Sequence, residues 1–172
     1  MESRTQSAVE IFRALPEGTL CEVIENTLYM SPRPTIKHQR IIKRLLMAME
    51  NYVQEKKLGE MFQEVDVFLD EKNAFQPDLL FSSKENFHLM KNDENIEGAP
   101  DLIVEVLSPS SRSHDLVKKK AVYERTGVKE YWAIDPETKE ATGFAFSSKG
   151  YESLPKEKGK IKSLLLKKTF YF

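Results

Sequence analysis

The chain has 172 residues, 40% of them hydrophobic and 31% charged. Lysine and arginine (26) almost balance aspartate and glutamate (27), for a net charge of −1. One domain spanning 1–172, with a core of its own, is expected, and so is the absence of any global field that would attract a polyanion. No apolar run approaches the ~20 residues that a membrane helix needs, so no membrane partner is expected. "MESRTQSAVEIFRAL" lacks the long apolar stretch of a signal peptide. Cys21 is the lone cysteine. It excludes an intramolecular disulfide and a cysteine-built zinc site, and fits a reducing cytoplasm.

Residues 5–14, "TQSAVEIFRA", read as a short amphipathic helix stopped by Pro16. "TLCEVIENTLYMSP" reads as a hairpin turning at Glu25-Asn26, since Asn tolerates positive φ. Thr35 is a suitable N-cap for "IKHQRIIKRLLMAMENYVQEKK". Ile41, Ile42, Leu45, Leu46 and Met49 give that helix one apolar face, and Gly59 is expected to close it. "EMFQEVDVFLD" alternates like a strand, although neither face is clean. "FQPDLLFSS" is a strand with Pro77 at its start. Residues 83–98 are polar and read as a loop with a helical turn.

Residues 101–107 form an apolar strand run with Glu105 inside it. "SRSHDLVKKKAVYERTG" then reads as a helix, with Ser111 or Ser113 near its N-cap and Gly127 past its end. "KEYWAIDP" is a strand stopped by Pro136. Strand, helix, strand implies a right-handed βαβ unit. One or two hairpins and a final apolar strand or tail complete an α/β fold, a mixed sheet with helices on its faces.

Alternation puts Asp101, Ile103 and Glu105 on one face and Leu102, Val104 and Val106 on the other. Glu105 therefore emerges among apolar neighbours, where an unpaired carboxylate costs several kcal/mol. Asp78 has a similar setting in "QPDLLF". Two carboxylates on adjacent strands repel unless a proton, a cationic side chain or a divalent metal joins them. Oxygen ligands with water suit Mg²⁺. Lys118, Lys119 and Lys120 open the following helix and can reach back. Against this stands the ordinary reading of an acid-then-lysine pattern as solvated surface. Helical geometry leaves the lysine open: Lys120 falls between Leu116 and Val117, and Lys119 beside Asp115 and Tyr123.

The chain resembles the Uma-two family, a branch of the PD-(D/E)XK nuclease superfamily. The resemblance runs through "CEVIENTLYMSP", "KHQRII", "QPDLLF" and "GAPDLIVEVLSPSSRSHDLVKKKAVYERTGVKEYWAIDP". It implies a restriction-endonuclease-like mixed β-sheet flanked by helices, with the active site on one sheet edge. It makes Asp78 the metal-binding Asp and Glu105 the acid of the (D/E)XK half. Leucine stands where that motif's lysine belongs. The family pattern Asp, Lys, Tyr maps onto Asp115, Lys119 and Tyr123, so the resemblance selects Lys119. Glu22 matches a family acidic position and is a candidate third carboxylate, or else an exposed strand residue. His38 also matches a family position, although a surface histidine on a helix is its ordinary reading. Asp101 shares Glu105's face and stands in reserve, and His88 has no supporting pattern.

The implied function is an endonuclease that hydrolyses DNA phosphodiester bonds using Mg²⁺ or Mn²⁺ held by Asp78, Glu105 and the Val106 carbonyl, with Lys119 as the catalytic lysine. A homodimer is expected, since cutting two strands often pairs two sites. The alternatives are a degenerate member that binds nucleic acid or a protein without cutting, and an interaction protein whose acids form only internal salt bridges. Lys156, Lys158, Lys160, Lys162, Lys167 and Lys168 make the C-terminal region locally basic, enough to contact several phosphates.

Overall fold

The computed structural model describes residues 5–16 and 18–172. Residues 1–4, part of the N-terminal segment examined for a signal peptide, lie outside the described residues. The first helix, α1 (Ala8–Arg13), is closed by a capping box between Ser7 and Glu10. Strands β1 (Cys21–Ile24) and β2 (Thr27–Met30) form the expected hairpin. Its two turn residues, Glu25 and Asn26, take φ of 49° and 58°, as a two-residue hairpin turn requires.

Helix α2 (Ile36–Lys56) starts at Thr35, whose side chain accepts from the His38 backbone N–H. Gly59 does not end it. Lys57 does, in the left-handed conformation at φ 53°, and Gly59 opens the next strand. The single strand expected over 60–70 is two: β3 (Gly59–Phe62) and β4 (Val67–Asp70), which belong to different sheets. The chain breaks between them at Glu64, with φ 53°. No one strand had to keep a clean face. Strands β5 (Asn73–Phe75) and β6 (Leu79–Ser83) flank Pro77. The polar loop over 83–98 holds a 3₁₀ turn and a small hairpin, β7 (Met90–Lys91) with β8 (Asn95–Glu97), which the polar composition did not reveal.

Strand β9 (Leu102–Val106) leads into a π-helical turn, His114–Lys119, and then α3 (Lys120–Thr126), closed by Gly127 at φ 92°. Ser113 precedes the π turn without a side-chain capping bond. Strand β10 (Glu130–Ile134) returns parallel to β9. The remaining strands are β11 (Glu140–Ser147), β12 (Gly150–Ser153), β13 (Glu157–Lys158), β14 (Lys160–Ser163) and β15 (Lys168–Tyr171).

The α/β class holds, but there are two main sheets where one was expected. One has the order β2-β1-β5-β4-β8-β7 and the other β12-β11-β10-β9-β6-β3, with β13 on β11; β14 and β15 pair separately. Leu102, Val104 and Val106 pack towards α2 through Leu45 and Met49. Ile103 faces the other way, into a core shared with Phe75 of the first sheet and Tyr123 of α3. Covered on both faces, β9 and β10 are buried at every residue. Opposite Trp132 stands Gly143, where a Cβ would lie 2.6 Å from the indole. No described helix is long and apolar enough to cross a membrane.

Candidate active site

The site grows from the register of two strands. Leu79 pairs with Val104 and Leu80 with Ile103, antiparallel, so one further step sets Asp78 opposite Glu105. Directly opposed residues share a face. That face is the one turned towards the first sheet and α3. The Asp78 N–H donates to Glu105 Oε2 at 3.3 Å, and Asp78 Oδ2 accepts from the Val106 N–H at 2.7 Å. Both strands lie inside the seven-stranded sheet, so the site sits at the ends of interior strands and not on a sheet edge.

The π turn supplies the cation. Its wider winding breaks the 100° spacing that left Lys119 and Lys120 equivalent. The three lysines part in three directions. Lys118 donates to the Tyr29 hydroxyl, Lys120 lies over the Phe144 ring, and Lys119 turns inward. Lys119 Nζ meets Glu105 Oε1 at 2.5 Å, Glu22 Oε1 at 2.8 Å and Asp115 Oδ1 at 3.2 Å. Three carboxylates surround one ammonium, and it donates a hydrogen bond to Glu22. The Tyr123 hydroxyl donates to Glu105 Oε1 at 2.7 Å.

Glu22 comes from the other sheet and is a largely buried partner, not an exposed strand residue. It also accepts from the Gln76 N–H at 3.2 Å. Tyr29, directly across the hairpin from Glu22, sets its ring edge-on against His114, which opens the π turn. The hairpin thus holds the turn from two sides. His38 is no surface histidine: its side chain is 12% exposed and its Nε2 lies 3.0 Å from Asp78 Oδ2.

Charge is unbalanced here. Glu22, Glu105, Asp115 and Asp78 are linked through hydrogen bonds and ion pairs, and Lys119 is the one lysine among them. Burial pushes Glu105 up to about 8; Lys119 opposes this, while Asp115, Asp78 and Glu22 reinforce it. Burial alone would lower Lys119, but the charge of Glu105, followed by Glu22, holds it well above the ordinary lysine range. Burial likewise lowers His38, and the hydrogen bond and charge of Asp78 override it, raising the imidazole above its usual value.

Asp101 stands apart. It precedes β9 and accepts from the Ser83 N–H, the Asn86 amide and Lys129, so the site does not include it. His88 contacts only the Glu85 carbonyl through its ring. Sequence reasoning named Asp115 in the family pattern without giving its carboxylate a role, and missed Tyr131, whose hydroxyl donates to the Asp115 carbonyl, and Gln76. Asp115 had a signal in its i, i+4 spacing to Lys119. Gln76 had none, because its contribution is a backbone N–H.

No three His, Cys, Asp or Glu side chains among the described residues are grouped to hold a metal ion. The two opposed carboxylates and the Val106 carbonyl are a different set, of hard oxygen donors. Such a set suits an ion that keeps several waters, and the surplus of negative charge favours a cation.

Comparison with known proteins agrees with the fold. A family model, Uma2, described as "Putative restriction endonuclease", matches residues 9–167. The chain superposes on a crystal structure from Anabaena variabilis ATCC 29413, titled as a putative nuclease belonging to DUF820, with a TM-score of 0.76 and 20% identity. That match covers 94% of this chain and 91% of the other. No curated protein matches. With the family match running from the first helix to the last hairpin, the chain belongs to the Uma2 family.

Proposed function

We propose that the protein is a metal-dependent endonuclease that hydrolyses DNA phosphodiester bonds. The observation that carries this reading is the meeting of Asp78, Glu105 and Lys119 at the ends of two adjacent strands. Asp78, Glu105 and the Val106 carbonyl would hold Mg²⁺ or Mn²⁺, which when bound polarises a phosphate oxygen and acidifies a water. Lys119 is poised to stabilise negative charge developing on the phosphate. Glu22 and Asp115 keep its ammonium charged and pointed inward. Tyr123 fixes one Glu105 oxygen, leaving the other towards Asp78, and His38 anchors Asp78 from α2. A homodimer would present two such sites to two strands.

Purified protein with Mg²⁺ or Mn²⁺ should nick supercoiled plasmid. Asp78→Ala, Glu105→Ala and Lys119→Ala should each abolish nicking. One observation favours a second reading, a protein that binds without cutting: the Lys119 ammonium is already ion-paired with three carboxylates of its own chain. DNA retained on the wild-type protein with no nicking in either metal would establish it. Gel filtration would test the dimer.

A further inference from the structure

Without a metal ion, a chain of net charge −1 holds a polyanion through a local concentration of cations, and the sequence has two. Residues 26–49 contain Arg33, Lys37, Arg40, Lys43 and Arg44 and no Asp or Glu. Residues 158–172 contain Lys158, Lys160, Lys162, Lys167 and Lys168, again without an acid. Ten of the 26 lysines and arginines and none of the 27 acidic residues lie in these segments.

The fold docks the second segment on the helix that carries the first, at Tyr52, beyond the end of the first segment. The first includes the N-terminal half of α2 and the second is the β14–β15 hairpin. The Tyr52 hydroxyl of α2 donates to the Leu166 carbonyl, Tyr52 and Phe170 pack edge to face, and Lys168 lies over the Tyr52 ring. Ile161, Leu166 and Phe170 join the core beneath α2. On the outer side, Arg40, Lys43, Arg44, Lys162 and Lys167 are exposed, and none forms an ion pair among the described residues. Lys37 pairs with Glu137 and Lys160 with Glu157. The acids of α2 lie in its C-terminal half and are engaged: Glu50 with Gln54, Glu55 with Lys56.

One end of this surface is fixed by the site, because His38 reaches Asp78 from the first turns of α2. The other end is fixed by Tyr52 under the hairpin. The two residues are fourteen positions apart along the helix, about 21 Å, or about six base pairs of duplex.

We propose that the outer face of α2 and the β14–β15 hairpin form a track for the phosphate backbone of double-stranded DNA, leading away from Asp78. The track's direction rests on the nuclease reading of the site; its charge does not. Charge complementarity selects a duplex backbone, and no base-reading element accompanies it, so binding follows phosphate density and not sequence.

Binding of a fluorescein-labelled 20-base-pair duplex, followed by anisotropy from 50 to 300 mM KCl without divalent metal, tests this. Removing one lysine–phosphate or arginine–phosphate pair should reduce the slope of log K against log [KCl] by about 0.9. Arg40→Gln/Lys43→Gln/Arg44→Gln should reduce it by about 2 or more, and Lys162→Gln/Lys167→Gln/Lys168→Gln should reduce it comparably. Lys72→Gln/Lys84→Gln/Lys149→Gln, on exposed sites elsewhere, should leave it unchanged. Equal slopes for the α2 and control variants would overturn the track. So would no wild-type binding at 50 mM KCl, or tighter binding of the single strand than of the duplex. Reduced slopes as expected, with no wild-type nicking in Mg²⁺ or Mn²⁺, would support the track and sink the nuclease reading alone.

Discussion

Asp101, just before β9, and Glu105, near its end, lie four residues and about 13 Å apart. Both carboxylates are buried and both meet a lysine, yet their electrostatics diverge. Burial raises Asp101, but hydrogen bonds from Lys129 and the Ser83 N–H outweigh it, and its pKa falls. Glu105 meets a lysine that Glu22 and Asp115 also claim, with Asp78 opposite, and its pKa rises to about 8. One lysine per carboxylate gives a closed structural pair. One lysine among several leaves negative charge in excess. A buried acid therefore signals function less than the count of its competitors does.

The comparison breaks most sharply at Lys119. Lys119→Met should abolish nicking and destabilise the fold by ~3–5 kcal/mol, since it strands buried carboxylates without their partner; urea denaturation reads the stability. Asp101→Asn should cost ~1–3 kcal/mol by the same measurement, through weakened hydrogen bonding, while nicking survives. Equal loss of nicking in both variants would erase the distinction between the two carboxylates.

The pH profile sharpens it further. Glu105 titrates near 4.5 when unfolded and at about 8 when folded, so the folded state holds the extra proton in between. That contribution is complete below the unfolded pKa and is lost as pH rises through the folded one. His38, raised above 6.5, acts in the same direction in the upper part of this window. The melting temperature of the metal-free protein should decline from pH 5 to 8, and Glu105→Gln should flatten most of the decline. Millimolar Mg²⁺ should reduce it in the wild type by replacing the proton. The smallest effect is expected at Lys120, which faces Phe144. Lys120→Gln should change the nicking rate less than twofold, and a null activity there would shift the catalytic assignment to it.

Local chemistry made much of the fold legible. The Glu25-Asn26 turn, the Thr35 cap and the apolar stripe of α2 each follow from a few neighbouring residues. So did the alternation that turned Glu105 away from the α2 core. What escaped was either a break inside a pattern or a contact between distant segments. Glu64 ends one sheet's strand before another's begins, within a run that alternates throughout. The π turn makes residue spacing an unreliable guide to which lysine faces inward. His38 was read as surface because its partner, Asp78, is 40 residues away. Asp78 and Glu105 were singled out as a pair, but their convergence depends on β6–β9 register, which neither segment encodes alone.

The Lys119–Glu22 contact joins residues 97 apart, whereas Lys119–Asp115 spans one helical turn. Closing the longer loop costs about 4 kcal/mol of chain entropy, so local structure forms far more easily than this contact. Tyr123 can meet Glu105, 18 positions away, once the βαβ unit exists. Glu22 arrives only when the first sheet docks, and Gln76 and Tyr29 come with it. During refolding, the ammonium should therefore acquire its last carboxylate at the slowest topological step. The chemical centre belongs to the completed fold and to no fragment of it.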